Sequence, residues 1–497
     1  MSVVLINPNL VVQRNDPFTT GIVYMPITLA YAAAALRQAG YPVKVIDAFA
    51  ERPRQATRNG KFSLFGLRVE EIISLVPDDA RVAFVYAINL TNHISTTGIV
   101  RALRERFAKL PIVVIENTQA VTAYALSLAA EEFYEAGADF ILTGEADIRA
   151  VQFMRALEAG SPAKGLKEMD GFGAPGHYLP PKGVIGEEEL DQLPFPAWDL
   201  FPLENYWNLR FAHGPQSQKK YLPLLTSRGC PYPCGFCVVP ATNAQKWRAR
   251  SAANVVDEIE YYVNRFGVSE FHIEDLDPTI SDKRIREICR GIMDRGLEIK
   301  WKIAAGTKVE TMRDEETIDL MAEAGCEYIS ISPETGSPRL LKMMRKPFDL
   351  EHAVRLVKRM NQAGIRSQAC FVLGYPGETD EDLQMTWELV HELTRKGVDE
   401  VALFIITPVP GSSIYQEFEG FGSLSELNFS PTWRADYAKL KSFRVRLYAW
   451  FLLWKFFYHP LKIFRQGINF LRRRFETKME MVPYRAMVLK FLDVRGN

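Results

Sequence analysis

An α/β protein with two separate parallel-strand domains is what this sequence predicts, and three observations carry the prediction. Short apolar runs alternate with helical patterns from residue 1 to about 158, the alternation lapses over 159–219, and it resumes over 220–425 with six new strand-like runs. The first set implies an open, doubly wound sheet and the second a partial (β/α)6 barrel, leaving 426–497 as a helical C-terminal region. With 497 residues, 47% hydrophobic and 24% charged, the chain has material for two or three cores.

In the first domain VVLINP, VKVIDAF, RVAFVYAI, PIVVIEN and DFILTG have the continuity of buried parallel strands. Between them lie helical patterns such as ITLAYAAAALRQAG, TGIVRALRERFAKL and TAYALSLAAEEFYEAG, the first and third closed by glycine. Ligands of such sheets sit beyond the carboxyl ends of the strands, which points to residues 7–9, 89–93, 116–122 and 144–147. The Gly- and Pro-rich 159–219 segment, with GFGAPGHYLPPKG and LPFPAWDLFP, reads as a linker draped over its neighbours or a small hairpin. LPLLTSRG, FHIEDL, WKIAAG, YISISP, ACFVLG and VALFIITP then supply the barrel strands, with chemistry at their carboxyl ends.

The first barrel strand leads into TSRGCPYPCGFCVVP, where half of the six cysteines stand as Cys230-x3-Cys234-x2-Cys237 among prolines and glycines. Three thiols in one loop can converge on one ligand. A structural zinc would need a fourth, distant ligand, whereas a four-iron cluster held by three thiolates keeps one iron open to a non-protein ligand. Simple packing in a turn is the bland alternative. Cys289, Cys326 and Cys370 form no close pair and read as small buried hydrophobes.

The cysteine spacing, with Phe236 before the last thiol, resembles the cluster motif of the radical S-adenosylmethionine enzymes, and the likeness continues through FHIEDLDPTI, GCEYISISPETGS, FVLGYPGET and TPVPGSSIY. INPN, LAYAAAALRQAG, VKVIDA and DFILTGEAD are similar to the cobalamin-binding domain that precedes many such barrels, and LPFPAWDLFP to the family's linker. Resemblance covers roughly residues 1–420. It implies a 4Fe-4S cluster on Cys230, Cys234 and Cys237, S-adenosyl-L-methionine on the open iron, cobalamin in the N-terminal domain, and an external electron donor. Carried over by position, Phe236 would border the cluster, Glu274, Asp275 and Asp277 would approach the methionine ammonium, and Glu334 the ribose or methionine end. Phe371, Val372, Leu373, Gly374, Gly377 and Glu378 would support the adenine; Asn117, Thr118, Gly144 and Glu145 are the expected contacts of the N-terminal cofactor. Two departures concern cobalamin. Asp-x-His-x-x-Gly is absent, so His93 is not an expected axial ligand, and VVIENTQAV puts Glu116 and Asn117 where relatives commonly place a glycine pair.

The function implied is cobalamin-dependent methyl transfer to an unactivated carbon of a hydrophobic, lipid-like or tetrapyrrole-like substrate. Radical cyclisation, rearrangement or oxidation is the alternative, and a zinc-stabilised binding module the alternative of another class. Sixty basic and sixty acidic residues cancel, so no global field recruits nucleic acid. Few cysteines and no leader-like N-terminus point to the cytoplasm. Residues 437–475 carry ten Lys or Arg and no Asp or Glu among many aromatics, which fits either a cap on the barrel or peripheral contact with the inner face of a membrane; spanning is not expected with Lys455 in the apolar run.

Overall fold

The computed structural model describes residues 2–159 and 162–495; the ends of the expected first and last regions, and residues 160 and 161 of the expected linker, lie outside the described residues. Five strands, Val3–Asn7, Val43–Asp47, Val82–Ala87, Ile112–Glu116 and Phe140–Leu142, pair in parallel with spatial order 2-1-3-4-5. Their side chains are almost continuously buried because helices cover both faces, so the runs read as apolar throughout instead of alternating. Order reverses between the first and third strands, and there Asn7 and Asn89 stand at the crevice.

The sheet does not stop at residue 158. Phe172–Ala174 and His177–Tyr178 add two antiparallel edge strands, so part of the expected linker is a hairpin built into the first domain. A separate antiparallel sheet of Leu10–Gln13, Phe62–Phe65 and Ala56–Asn59 sits beside it; Asn59-Gly60, between the last two strands, is a hairpin signal that the sequence reading passed over. The pattern TAYALSLAAEEFYEAG forms α-helix only over Ala130–Glu135. Its first half is drawn off by tertiary bonds: the Leu126 amide donates to Glu116 Oε1 at 2.8 Å and the Ala125 amide to the Pro410 carbonyl at 2.9 Å. Local helical preference is worth too little to resist them.

Six parallel strands in sequential order form the open barrel: Tyr221–Leu224, Glu270–Ile273, Lys300–Thr307, Cys326–Glu334, Arg366–Leu373 and Glu400–Ile405. Intervening helices are strongly amphipathic and capped by Ser251, Ser281, Asp314, Asp349 and Thr379, whose side chains accept first-turn amides. Three C-terminal helices, Tyr437–Tyr458, Pro460–Arg472 and Lys478–Arg495, follow. The last reaches from the barrel, where Lys478 Nζ donates to the Ala304 carbonyl, to the small N-terminal sheet, where Arg14 and Arg58 pair with Asp493. No helix among the described residues is long and apolar enough to cross a membrane.

Candidate active site

Beyond the first barrel strand, Ser227–Arg228 pairs antiparallel with Arg248–Ala249 and closes the cysteine loop at its base. Gly229 is required there: its φ is +77°, and a Cβ would stand 2.0 Å from the Lys246 carbonyl oxygen. The loop is further pinned by the Gly235 amide on the Met344 carbonyl and by Ser413 Oγ on the Gly235 carbonyl. Phe236 packs against the apolar cluster that includes Leu340, Met344 and Val372 and so anchors the loop to the barrel. Cys230, Cys234 and Cys237 are free and half-buried, whereas Cys289 and Cys326 are buried in the core as expected; Cys370, expected to be buried too, is only half-buried, with its thiol 3.4 Å from Ser330 Oγ.

Among the described residues no three His, Cys, Asp or Glu side chains are grouped as a ready-made site for a single metal ion. The three free thiols of the loop are a donor set that leaves room for a ligand from outside the protein. Burial pushes the Cys230 thiol up to about 12 and raises Cys234 and Cys237 as well, so thiolates need a cationic partner. Lys308 Nζ stands 4.0 Å from Cys234 Sγ and over the Tyr232 ring.

The carboxylates predicted from the sequence divide by their partners. Asp275 is fully buried and accepts from the Thr226 amide (2.7 Å), Thr226 Oγ1 (2.6 Å) and Ser227 Oγ (2.5 Å), all in the strand end that launches the cysteine loop. Its oxygens are thus committed within the protein. Asp277 behaves differently. Oδ1 accepts from Thr307, Thr311 and Thr279, but Oδ2 is buried with no protein partner, and burial lifts the acid to about 6. Glu274 faces a cavity and bonds His213 Nδ1 at 2.6 Å. At a β-bulge in the fourth strand, Glu334 adopts φ +64°, uncommon for a side chain of its size, and its carboxylate pairs at 2.6 Å with buried Lys346.

On the fifth strand Phe371 and Leu373 are core residues and Val372 is nearly so. Gly374 approaches the C-terminal region: a Cβ there would meet Leu440 at 2.5 Å and Arg434 at 2.7 Å, and Arg434 donates to the Gly374 and Ile406 carbonyls. Glu378 folds back onto the Gly374 amide, while Gly377 leaves room for the Met343 side chain. The close approach that the glycine of GYPGE permits is therefore to the chain itself.

On the N-terminal side, Asn117 spans its loop, donating to the Ile88 carbonyl at 2.7 Å and accepting from the Gln119 amide at 3.0 Å. The Thr118 carbonyl accepts from Asn243, and Gln119 Oε1 accepts the Gly229 amide beside Cys230. Gly144 donates its amide to Glu116 Oε2 at 2.7 Å, and Glu116, held also by Leu126, ties two strand-end loops together; burial lifts its acid to about 7. Glu145 does not face a crevice. It is buried in ion pairs with Arg228 (3.1 Å) and Arg248 (3.0 Å), with Asp147 2.6 Å from Arg228. His93 is fully buried, with Nδ1 on Tyr124 and Nε2 on Glu132, so neither nitrogen is free to ligate.

Between the carboxyl ends of the two sheets lies a small cavity of about 80 Å³. Val23, Met25, Ile27, Ile88 and Leu276 give it apolar walls; Asn89 and Asn117 enter from the first domain and Glu274 from the barrel. Among the described residues its lining contains no Lys or Arg. Sequence reading missed His213, which comes from the linker, packs on Tyr24 with ring centroids 4.5 Å apart and is pushed toward the neutral form by burial. It missed Arg228 also, although a lone arginine between a strand and a cysteine loop was a signal of sorts.

Residues 224–409 match the family model of the radical SAM superfamily. Cytidylyl-2-hydroxyethylphosphonate methyltransferase of Streptomyces wedmorensis is 28% identical over 87% of this chain and 84% of its own. An anaerobic magnesium-protoporphyrin IX monomethyl ester cyclase of Cereibacter sphaeroides is 26% identical over 79% of this chain and 60% of its own. Among solved structures, the radical S-adenosylmethionine methyltransferase TsrM of Kitasatospora setae, with cobalamin and a [4Fe-4S] cluster bound, superposes with a TM-score of 0.61 at 18% identity, covering 84% of this chain and 74% of that one.

Proposed function

We propose, from the match of residues 224–409 to the radical SAM superfamily model, that the chain is a cobalamin-dependent radical S-adenosylmethionine methyltransferase acting on an unactivated carbon of an apolar substrate. The observation that carries this reading is the cavity where the carboxyl ends of both sheets face each other, joined to the cysteine loop through its wall residues Gln119, which accepts the Gly229 amide, and Leu276, which clusters with Cys230 and Cys237. Bound together, the cluster and S-adenosylmethionine supply a hydrogen-abstracting radical, with an external donor giving the electron, and a methylated corrinoid supplies the methyl group. Cys230, Cys234 and Cys237 would hold the cluster. Asp277 Oδ2, a buried acceptor with no protein partner, fits the methionine ammonium, as Glu274 does from the cavity side. The Lys346–Glu334 pair would border the methionine or ribose end. Asp275 and Glu145 act at one remove, fixing the cysteine loop through Thr226, Ser227 and Arg228.

Walls without Lys or Arg suit a substrate lacking phosphate or carboxylate groups, unlike the substrate in the Streptomyces relative's name. The His213–Glu274 dyad, with a neutral imidazole, suits a hydrogen-bond donor on that substrate. Delivery from a membrane surface belongs to the same reading, supported by the exposed aromatics of the C-terminal helices.

A second reading, radical cyclisation, rearrangement or oxidation without methyl transfer, draws support from Glu116, which fills the position expected for a glycine beside a corrinoid. Anaerobic reconstitution with iron, sulfide and hydroxocobalamin separates the two. Wild-type protein is expected to retain acid-labile sulfide and corrinoid through gel filtration and to cleave S-adenosylmethionine reductively. Cys230→Ala should lose cleavage, and Cys289→Ala and His93→Ala should keep the cluster and the corrinoid. Cluster without retained corrinoid would move the assignment to the second reading, and neither would overturn both.

A further inference from the structure

The C-terminal helices leave an apolar face in water that the fold does not use. On Pro460–Arg472, Leu461 (81% exposed), Phe464 (66%), Ile468 (49%) and Leu471 (81%) recur at helical spacing and form one stripe. The end of the preceding helix continues it with Phe456 (51%) and Phe457 (70%). A contiguous exposed stripe of large side chains marks an interaction site, whereas single exposed hydrophobics do not.

Charge placement sharpens this. Lys455 is the one Lys or Arg between Arg446 and Lys462, a span that also lacks Asp and Glu. Its ammonium is turned inward, fully buried, onto the Asp399 carbonyl and Gln466 Oε1. The outer surface is thereby cleared of charge along its middle. Cations gather instead at the borders. Lys462 and Arg465 are paired with Asp399 and Glu476, and Arg472, Arg473 and Arg474 lie exposed where the helix ends. This arrangement, apolar in the centre and basic at the rim, is that of a helix lying in a bilayer interface with its cations among head groups.

We propose that the outer face of Pro460–Arg472, continued by Phe456 and Phe457, seats on an anionic lipid bilayer. A second copy of the chain is the poorer occupant. A two-fold contact sets the same rim against itself and so brings the exposed Arg472, Arg473 and Arg474 of one copy toward those of the other. An anionic head-group layer relieves the repulsion that a self-contact would create. The inference rests on the reading of a lipid-proximal enzyme for its purpose and on this surface alone for its evidence.

Flotation of the reconstituted full chain through a density gradient tests it, with vesicles of phosphatidylcholine alone and with added phosphatidylglycerol, at low and high salt. Wild type is expected to float with the anionic vesicles at low salt, and to lose about tenfold in floated fraction in high salt, with Phe464→Ser/Leu471→Ser, or with Arg472→Gln/Arg473→Gln/Arg474→Gln. All these side chains are exposed, so thermal melts should be unchanged. Three results overturn the proposal: no flotation with anionic vesicles, flotation undiminished by the Phe464/Leu471 change, or a lipid-free dimer in light scattering that this change dissolves. Reductive cleavage of S-adenosylmethionine, measured on the same samples, tells the two readings apart, since its loss with flotation intact counts against the enzyme assignment and leaves the surface standing.

Discussion

Arg228 stands one residue from the loop glycine and two from Cys230, yet its guanidinium is buried in the other domain. It pairs with Glu145 and Asp147 and lies over the Tyr31 ring at 4.9 Å. Removing one partner of a buried ion cluster strands the others, which costs far more than the pair itself contributes. Arg228→Met is therefore expected to destabilise the chain by about 3–5 kcal/mol in denaturant unfolding, with Asp147 left unpaired and Glu145 paired with Arg248 alone. Arg228→Met combined with Asp147→Leu should recover part of that loss, and no recovery would show that the cluster is not the source. Glu145 was expected from its position to contact cofactor. Its role in this clamp was illegible because one chain position gives no hint of which distant arginine will meet it.

The hairpin that closes the cysteine loop depends on one backbone conformation. Gly229→Ala introduces both a left-handed φ and a contact of 2.0 Å with the Lys246 carbonyl, and backbone on both sides leaves nowhere to yield. Iron and acid-labile sulfide after anaerobic reconstitution should fall by about tenfold, while far-UV circular dichroism stays as in wild type. Full iron content in the variant would mean that the loop finds another path. At this scale the sequence was readable where an element meets only its immediate surroundings, as in the amphipathic barrel helices with their Ser, Asp and Thr caps. It was unreadable over 122–129, where Glu116 and Pro410 hold amides that a helix would otherwise use.

Across the molecule, folding buries acids that titrate near neutrality. Burial lifts Asp47 and Asp277 from 3.8 to about 6, and Glu116, Glu378 and Glu480 from 4.5 to about 7. A raised acid binds its proton more tightly folded than unfolded, so these groups favour the native state below their folded values and withdraw that support as pH rises from about 4 to about 7. Glu270, held down to about 2 beside Lys302, acts oppositely, but its support is lost only as pH falls from about 4.5 toward 2; His213, pushed toward the neutral form by burial, opposes the trend below about 6.5, one group against five. Melting temperature of the metal-free chain should accordingly rise between pH 7.5 and 5.5. A fall across that interval would show that these carboxyls are more hydrated than their burial implies.

By itself the sequence determined the two parallel sheets, the cysteine loop and the helical C-terminus. Apolar continuity, helical spacing and thiol spacing are properties of neighbours along the chain, and each specifies its element without distant help. Only the tertiary structure decided which side chains face which partner. Asp275 and Glu145 spend their oxygens inside the protein, Asp277 keeps one unmatched beside the cysteines, His213 enters the cavity from the linker, and Lys455 turns inward to leave an uncharged outer face. The physical reason is common to all of them. A buried polar group must find its partner within hydrogen-bond reach, and that partner here lies 48 to 110 residues away in chain order for contacts such as Ser227 with Asp275 and Gly229 with Gln119.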